Sequence, residues 1–163
     1  MKLFRVFGFP ALAAVFATSL WAQGAQVAFG SLQSSSDLPV EVAAENLSVD
    51  QSTGTAVFTD NVVISQGEMR LSAARVLVVY REDTSGIARL EASGGVTLVS
   101  GADAAESEKA DYDIDNGTIV MTGNVLLVQG PSTLSSDRMT VELNAGTARM
   151  EGKVRTVLQT GER

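Results

Sequence analysis

The chain has 163 residues, 45% of them hydrophobic, and its 12 basic and 19 acidic side chains give a formal net charge of −7 at pH 7. It has no histidine and no cysteine, which excludes histidine-based triads, thiol nucleophiles, disulfides and the commonest metal ligand. Because the balance is acidic and no Lys/Arg cluster stands out, nucleic acid is a poor partner for this chain.

The N terminus has the build of a secretory signal peptide. Lys2 and Arg5 form a basic start, an apolar run of 16 residues follows, and small residues come next. The run is shorter than the ~20 residues that a helix needs to span a bilayer. We predict a cleaved signal peptide at residues 1–22, with cleavage after Ala25 or Ala28 as alternatives. An uncleaved membrane anchor is the other interpretation.

Residues 23–38 are small and polar and predict a flexible lead-in. The chain then changes character at Pro39, where short alternating runs begin. We therefore place one domain at residues 39–160, which is long enough to hold its own core.

The pattern of residues predicts strands throughout the domain. Its runs alternate with period two, are rich in β-branched residues, and are separated by turn residues about every ten positions. They occupy residues 40–50, 55–65, 69–80, 88–100, 110–130, 138–152 and 153–159. Asn116-Gly117 predicts a two-residue type I′ hairpin turn, because that turn needs positive φ at both positions. No helix is predicted outside the signal peptide.

A unit of about 30 residues repeats along the domain. Its anchors are Val62, Val96, Val125 and Val154, which are 34, 29 and 29 residues apart. Each unit consists of a strand, a glycine turn, a second strand, a turn-like pair before the valine, and a third strand. Three or four such hairpin units make up nearly the whole domain.

The alternation gives each strand one apolar and one mostly polar face, as in antiparallel sheets. Sheets of this kind close into a sandwich, a jelly roll or an open barrel. Their interior is either an ordinary core filled by its own side chains or a partly open groove that an acyl chain could fill. The pattern of residues alone does not separate these two interpretations.

The acidic residues do not form a convincing catalytic or metal site. The pattern D-x-D-x-D at 111–115 begins like a calcium loop, but its glycine comes one position late at Gly117 and its twelfth position is Thr122. A solvated stripe ahead of a hairpin is the better interpretation. Glu106 and Glu108 lie in a segment that we expect to be a hydrophilic loop or edge. We therefore expect no enzymatic activity, no metal and no cofactor.

Residues 38–80 and 117–152 resemble the LptA/OstA family of periplasmic lipopolysaccharide transport proteins of Gram-negative bacteria. The motif residues that carry the resemblance are Pro39-Val40-Glu41-Val42, Phe58-Thr59, Asn61-Val62, Gln66-Gly67 and Ala74. The sequence departs from the family pattern at two places: Asp60 stands where glycine is usual, and Ala74-Arg75 stands where Ala-Asp is usual. The turn at Asp60 can still form, because aspartate tolerates turn conformations.

The resemblance implies a twisted, open β-jelly roll built of repeated antiparallel hairpin units, located in the periplasm. It implies an apolar interior that receives the acyl chains of lipid A, the membrane anchor of lipopolysaccharide. It also implies protomers that join edge to edge, head to tail, from an inner-membrane complex to an outer-membrane translocon. Strand addition at an exposed sheet edge is a common mode of recognition.

The residues expected to line the groove come from two sources. The resemblance implies Val40, Val42, Leu98, Tyr112 and Ile114. Alternation along the strands adds Phe58, Ile64, Val96 and Leu127. Each of these side chains could equally belong to a plain core.

Two other functions fit the sequence. The chain could be an anchored homologous subunit of the same pathway, or a detached N-terminal domain of its outer-membrane component. It could also be a structural β-repeat or adhesin-like module with a self-filled core, which would bind no lipid.

Overall fold

The computed structural model describes residues 25–29, 37–83 and 86–159, and the predicted signal peptide at 1–22 lies outside them. The described residues form an all-β fold without helices. The strands are β1 (Ala25–Ala28), β2 (Glu41–Ala43), β3 (Asn46–Asp50), β4 (Thr55–Gln66), β5 (Met69–Tyr80), β6 (Ile87–Ser100), β7 (Asp103–Asp113), β8 (Thr118–Gln129), β9 (Ser132–Glu142), β10 (Thr147–Glu151) and β11 (Arg155–Val157).

All eleven strands belong to one open antiparallel sheet. The order is β1-β10-β9-β8-β7-β6-β5-β4-β2, with β3 also paired to β4 and β11 also paired to β9. From β4 to β9 each strand pairs with its neighbours in sequence, so the sheet grows by adding one hairpin after another. We call β2 with β3 the N-terminal edge, and β10 with β11 the C-terminal edge.

The long strands bend at pairs of residues with positive φ, each directly before an anchor valine. These pairs are Asp60 (67°) and Asn61 (51°), Gly94 (83°) and Gly95 (85°), Gly123 (85°) and Asn124 (47°), and Gly152 (79°) and Lys153 (47°). The ladder shifts register at the same places, for example between Thr59 and Val62. The prediction that each pair forms a turn between the second and third strands of its unit is therefore wrong for the first three pairs. Each is a β-bulge inside one long strand, which bends the strand without ending it.

The bends divide the sheet into two walls. The first wall contains β1, β3, β10 and residues 55–59, 75–79, 87–93, 109–113, 118–122 and 138–142. The second wall contains β2, β11 and residues 62–66, 69–73, 96–100, 103–107, 125–129 and 132–136. Alternate side chains of both walls meet in one buried cluster. The two walls therefore face each other across a shared interior, as in a jelly roll.

Two strands extend into segments where the sequence predicts none. β7 replaces the hydrophilic loop or edge expected around Glu106 and Glu108, and it lies in the middle of the sheet. Its inward residues before Tyr112 are small, since Ala105, Ser107 and Ala110 are all buried. Small inward side chains give a weak alternation of hydrophobicity, which explains why the pattern reads as a loop. β9 likewise begins before residue 138, where the predicted run starts.

The hairpin between β7 and β8 is present, but its turn is longer than expected. Four residues, 114–117, separate the strands, and of these only Gly117 has positive φ, at 62°. The Asp113 carboxylate accepts hydrogen bonds from the backbone N–H of Asn116 at 3.0 Å and from its side-chain amide at 2.7 Å. This Asx arrangement holds Asn116 at negative φ, so the predicted type I′ turn is wrong.

The described part of the predicted lead-in contains an ordered strand. Ala25–Ala28 form β1, which pairs antiparallel with β10 at the C-terminal edge. The side chain of Phe29, directly after β1, is fully buried. Burial of an aromatic side chain of this size favours order over a flexible conformation, by about 2–3 kcal/mol.

Candidate functional site

The nine residues predicted to line a groove all lie in or against the interior cluster. Ile64, Val96, Leu98, Tyr112 and Leu127 are buried members of it, with at most 2% of each side chain exposed. The other four are half-buried and pack against the cluster: Val40, Val42, Phe58 and Ile114. Alternation and the family motif therefore identify inward-facing positions correctly, and their role in lipid binding stays a prediction.

The interior is filled by the chain's own side chains. Residues from both walls reach 0–2% exposure, including Val76 and Ile119 from the first wall and Leu71 and Val125 from the second. An acyl chain can therefore enter this interior only if the walls move apart or the side chains repack.

A row of inward side chains crosses the first wall, and its residues change from alanine to methionine along the sheet. Cross-strand partners in this row include Ala92 beside Ala110, and then Met121, Met139 and Met150 side by side. The three methionines are fully buried. Methionine is unbranched and flexible, so it fills irregular space and repacks more readily than β-branched residues do. This part of the interior is therefore the most adaptable in shape.

A hydrogen bond joins the walls across the interior. The hydroxyl of Tyr112 in the first wall donates to Oε1 of Gln66 in the second wall at 2.6 Å. The amide of Gln66 in turn donates to the backbone carbonyl of Leu38 at 2.9 Å. Burial raises the pKa of Tyr112 to about 12. Alternation along the strand predicts that Tyr112 faces the interior, but no pattern in the sequence predicts the hydrogen bond of its hydroxyl to Gln66.

Two other second-wall strands end at the position equivalent to Gln66, each followed by glycine. At the end of β8, the Gln129 amide donates to the carbonyl of Ala28 at 2.6 Å and to the Asp103 carboxylate at 3.0 Å. At the end of β6, the hydroxyl of Ser100 is buried and has no hydrogen-bond partner among the described residues. The interior rim thus has a glutamine bridge at either end and a shorter serine between them.

The outer surface of the bends carries polar side chains. The Asn124 amide donates to the Glu108 carboxylate at 2.6 Å, and the Asn61 amide donates to the Glu45 carboxylate at the equivalent place. At the bend of β6 the facing residue is Ala74, which takes the position that Glu108 takes opposite Gly123. The surface between this bend and the bend of β4 sinks into a shallow depression of about 640 Å³, whose lining includes Glu45, Asn61 and Ala74. This depression lies outside the apolar interior.

The described residues contain no cluster of His, Cys, Asp or Glu that could hold a metal ion. The part of the chain that the structure describes contains no helix long and apolar enough to cross a membrane. The buried apolar interior and the two sheet edges are accordingly the candidate functional surfaces.

Comparison with known proteins gives a consistent family. Residues 41–147 and 105–160 match the family described as LptA/(LptD N-terminal domain) LPS transport protein. An uncharacterised protein of Rhizobium meliloti (strain 1021) is 34% identical over 116 residues, covering 67% of this chain and 62% of the relative. The lipopolysaccharide export system protein LptA of Haemophilus influenzae is 31% identical over 91 residues, covering 52% of this chain and 53% of that protein. The chain thus spans between half and two thirds of the length of these curated relatives.

A solved structure supports the fold. The crystal structure of LptH, described as the LptA-homologous periplasmic component of the lipopolysaccharide transport device of Pseudomonas aeruginosa, superposes with a TM-score of 0.67 at 15% identity. The match covers 77% of this chain and 99% of the other. The bent, two-walled sheet is therefore an architecture that this solved structure shares.

Proposed function

Because the chain belongs to the family of LptA and LptD N-terminal domain lipopolysaccharide transport proteins, we propose that it carries lipopolysaccharide across the periplasm and has no enzymatic activity. The acyl chains of lipid A are shielded between the two walls. Inner-membrane and outer-membrane components of the transport pathway, and further copies of the chain, join it by strand pairing at the edges.

The observation that carries the proposal is a single apolar interior shared by two walls of one bent sheet. A carrier for an amphiphile needs such an interior, because every apolar Å² withdrawn from water contributes roughly 25 cal/mol. The long bent strands make the interior continuous from the N-terminal to the C-terminal edge.

Loading requires the walls to separate. The bond between Tyr112 and Gln66 lies across the interior, and breaking it costs about 1 kcal/mol net. Against that cost, an acyl chain contributes about 0.8 kcal/mol for each CH₂ group that it buries. A few methylene groups therefore suffice to offset the loss of this bridge, and the adjoining methionines can repack around the chain.

The sheet edges offer the surfaces for partners. At the N-terminal edge Leu47 and Val49 of β3 are 56% and 60% exposed, and at the C-terminal edge Val157 of β11 is 55% exposed. Apolar strands with unpaired backbone groups are prone to pair with a further strand. Both edges therefore have the chemistry that β-strand addition needs.

A photo-crosslinking experiment tests the carrier function. A benzophenone amino acid is placed at Val42 or Ile114, which are half-buried against the interior, and at exposed Glu41 or Asp115 as matched neighbours. We expect lipopolysaccharide to be captured in cells at the first two positions and not at the other two. Equal capture at all four positions, or capture at none, contradicts the proposal.

The filled interior favours one second candidate, a structural β-repeat module with a permanent core. Such a module would bind no lipid, and outer-membrane integrity would not depend on it. Depletion of the protein in its native host separates the two functions, because loss of a carrier makes newly synthesised lipopolysaccharide accumulate at the inner membrane.

A further inference from the structure

The C-terminal edge is already half-occupied by the chain itself. β1 pairs with β10 through Ala25–Met150, Gln26–Arg149, Val27–Ala148 and Ala28–Thr147. The backbone N–H of Phe29 then donates to the carbonyl of Gly146 at 3.2 Å. The other half of this edge, β11, is exposed along its length. Only the first-wall part of the edge is therefore covered.

β1 takes the same register on β10 that β3 takes on β4. Because of the internal repeat, Thr147 and Ala148 follow Gly146 as Thr55 and Ala56 follow Gly54. Val49 of β3 lies opposite Ala56, and Asp50 lies opposite Thr55. Val27 of β1 lies opposite Ala148, and Ala28 lies opposite Thr147. Ala25–Ala28 thus match residues 47–50 in register and direction, but they lie on the side of β10 that corresponds to the β5 side of β4, because β9 fills the side that corresponds to β3.

The two strands also present the same alternation to the interior. The inward residues of β3 are Leu47 and Val49, which are 56% and 60% exposed, and no described residue covers them at the N-terminal end of the roll. Val27 is half-buried and Phe29 fully buried at the opposite end. One end of the interior is thus open and apolar, and the other is closed by Phe29 and held by the bond from Gln129 to Ala28.

We propose that β1 is a self-capping strand that occupies the site for β3 of a second copy of this chain. In a head-to-tail pair, β3 of one copy continues the first wall of the other, antiparallel to β10, and β2 continues the second wall beside β11. β1 and the incoming β3 compete for the same backbone groups of β10, so the cap must leave before the pair forms. The inference rests on the proposed function for the expectation of head-to-tail pairing.

A reversible cross-link tests the competition. The N–H of Phe29 points at β10, so by alternation Gln26 and Arg149 form a non-hydrogen-bonded pair, with Cα atoms about 4.5 Å apart. That spacing accommodates a disulfide, and the chain has no other cysteine. In the mature double variant Gln26→Cys/Arg149→Cys, oxidation locks the cap and reduction frees it, with the remaining sequence identical.

Analytical ultracentrifugation over a range of concentrations gives the readout. We expect the reduced form to self-associate like the wild type, and the oxidised form to associate at least about tenfold more weakly, because the competent edge is no longer populated. A Val27→Lys variant, which weakens the cap, should associate at lower concentration than the wild type. Leu47→Arg and Val49→Arg change only exposed positions of β3. Added to the double-cysteine variant, they should prevent association of both the oxidised and the reduced form.

Identical association of the oxidised and reduced forms overturns the proposal, and so does the absence of association in every form, including Val27→Lys. The outcome is separable from that for the proposed function. Lipopolysaccharide capture at Val42 is measured on both forms. Weaker association of the oxidised form with capture retained supports the cap and the carrier function together, whereas weaker association without capture in either form contradicts the carrier function alone.

Discussion

The buried side chains of the interior come from alternate positions along the strands, and polar residues at the rim join the two walls. Alternation alone places Ile64, Val96 and Leu127 inside, and the structure buries all three. It succeeds because a strand residue can point only to one face or the other. The rim residues Gln66 and Gln129 are not predictable in this way. Their roles depend on partners far away in sequence, the Tyr112 hydroxyl and the Ala28 carbonyl.

The buried tyrosine predicts how stability depends on pH. Its folded-state pKa of about 12 lies above the ordinary value of 10.0, so folding favours the neutral phenol. Between pH 10 and 12 the folded state retains a proton that the unfolded state has lost, and the free energy of unfolding therefore falls as pH rises. The two-unit difference corresponds to about 2–3 kcal/mol. This contribution is fully present below pH 10.

Urea denaturation of Tyr112→Phe and Tyr80→Phe checks this prediction. At pH 7 Tyr112→Phe should cost about 1–2 kcal/mol, because it removes the buried hydrogen bond that the Tyr112 hydroxyl donates to Gln66. Above pH 10 this variant should lose less stability than the wild type. Tyr80 is only half-buried, and its replacement should leave the slope between pH 10 and 12 unchanged. If Tyr80→Phe flattened the slope instead, Tyr112 would not be the group responsible.

At the scale of elements, the sequence predicts strands well and their continuity poorly. The pairs before the valines carry turn residues, and turn residues normally end strands. Here the backbone instead bulges and continues, because the neighbouring segments follow the bend. Between β2 and β3, for example, the N–H of Glu45 donates to the carbonyl of Asp60 at 3.0 Å. Whether such a pair ends a strand depends on the adjacent strands in the sheet, which are distant in sequence.

The bend of β6 offers a matched pair of substitutions. Gly94 and Gly95 have φ of 83° and 85°, so alanine at either position costs about 1–2 kcal/mol of backbone strain. A Cβ at Gly94 would lie 2.8 Å from Cβ of Ala74, whereas a Cβ at Gly95 would meet nothing within 4 Å. We expect Gly94→Ala to be more destabilising than Gly95→Ala by at least about 1 kcal/mol, as measured by thermal or urea denaturation.

A double variant identifies the cause of that difference. Ala74→Gly removes the methyl group that a Cβ at position 94 would strike, so in this background Gly94→Ala and Gly95→Ala should cost nearly the same. If the difference persisted, the steric contact with Ala74 would not be its origin.

At the scale of the whole molecule, the family resemblance and the repeat predict an open jelly roll, and the structure confirms it. They do not predict β1. A strand of four residues in a small, polar segment carries almost no local pattern, and its partner β10 lies about 120 residues further along the chain. The predicted cleavage site also bears on this strand: cleavage after Ala22 would leave β1 intact, whereas cleavage after Ala28 would remove it.

The connectivity of the sheet predicts the order in which its strands fold. From β3 to β10 each strand pairs with its neighbours in sequence, so this part of the molecule can assemble progressively, as repeat arrays do. Docking of β1 instead closes a loop of more than 100 residues, and such a contact forms late because its entropy cost precedes any gain. Within the described strands, β1 should be the last to become protected during refolding.

Pulsed hydrogen exchange during refolding measures that order directly. The amides of β8 and β9 should gain protection before those of β1, and native-state exchange should release β1 at a lower free energy than the central strands. Simultaneous protection of β1 and β8 would contradict this sequence of events. A strand that docks last and opens first would let the folded chain pass repeatedly between the proposed capped form and an uncapped form, without unfolding either wall.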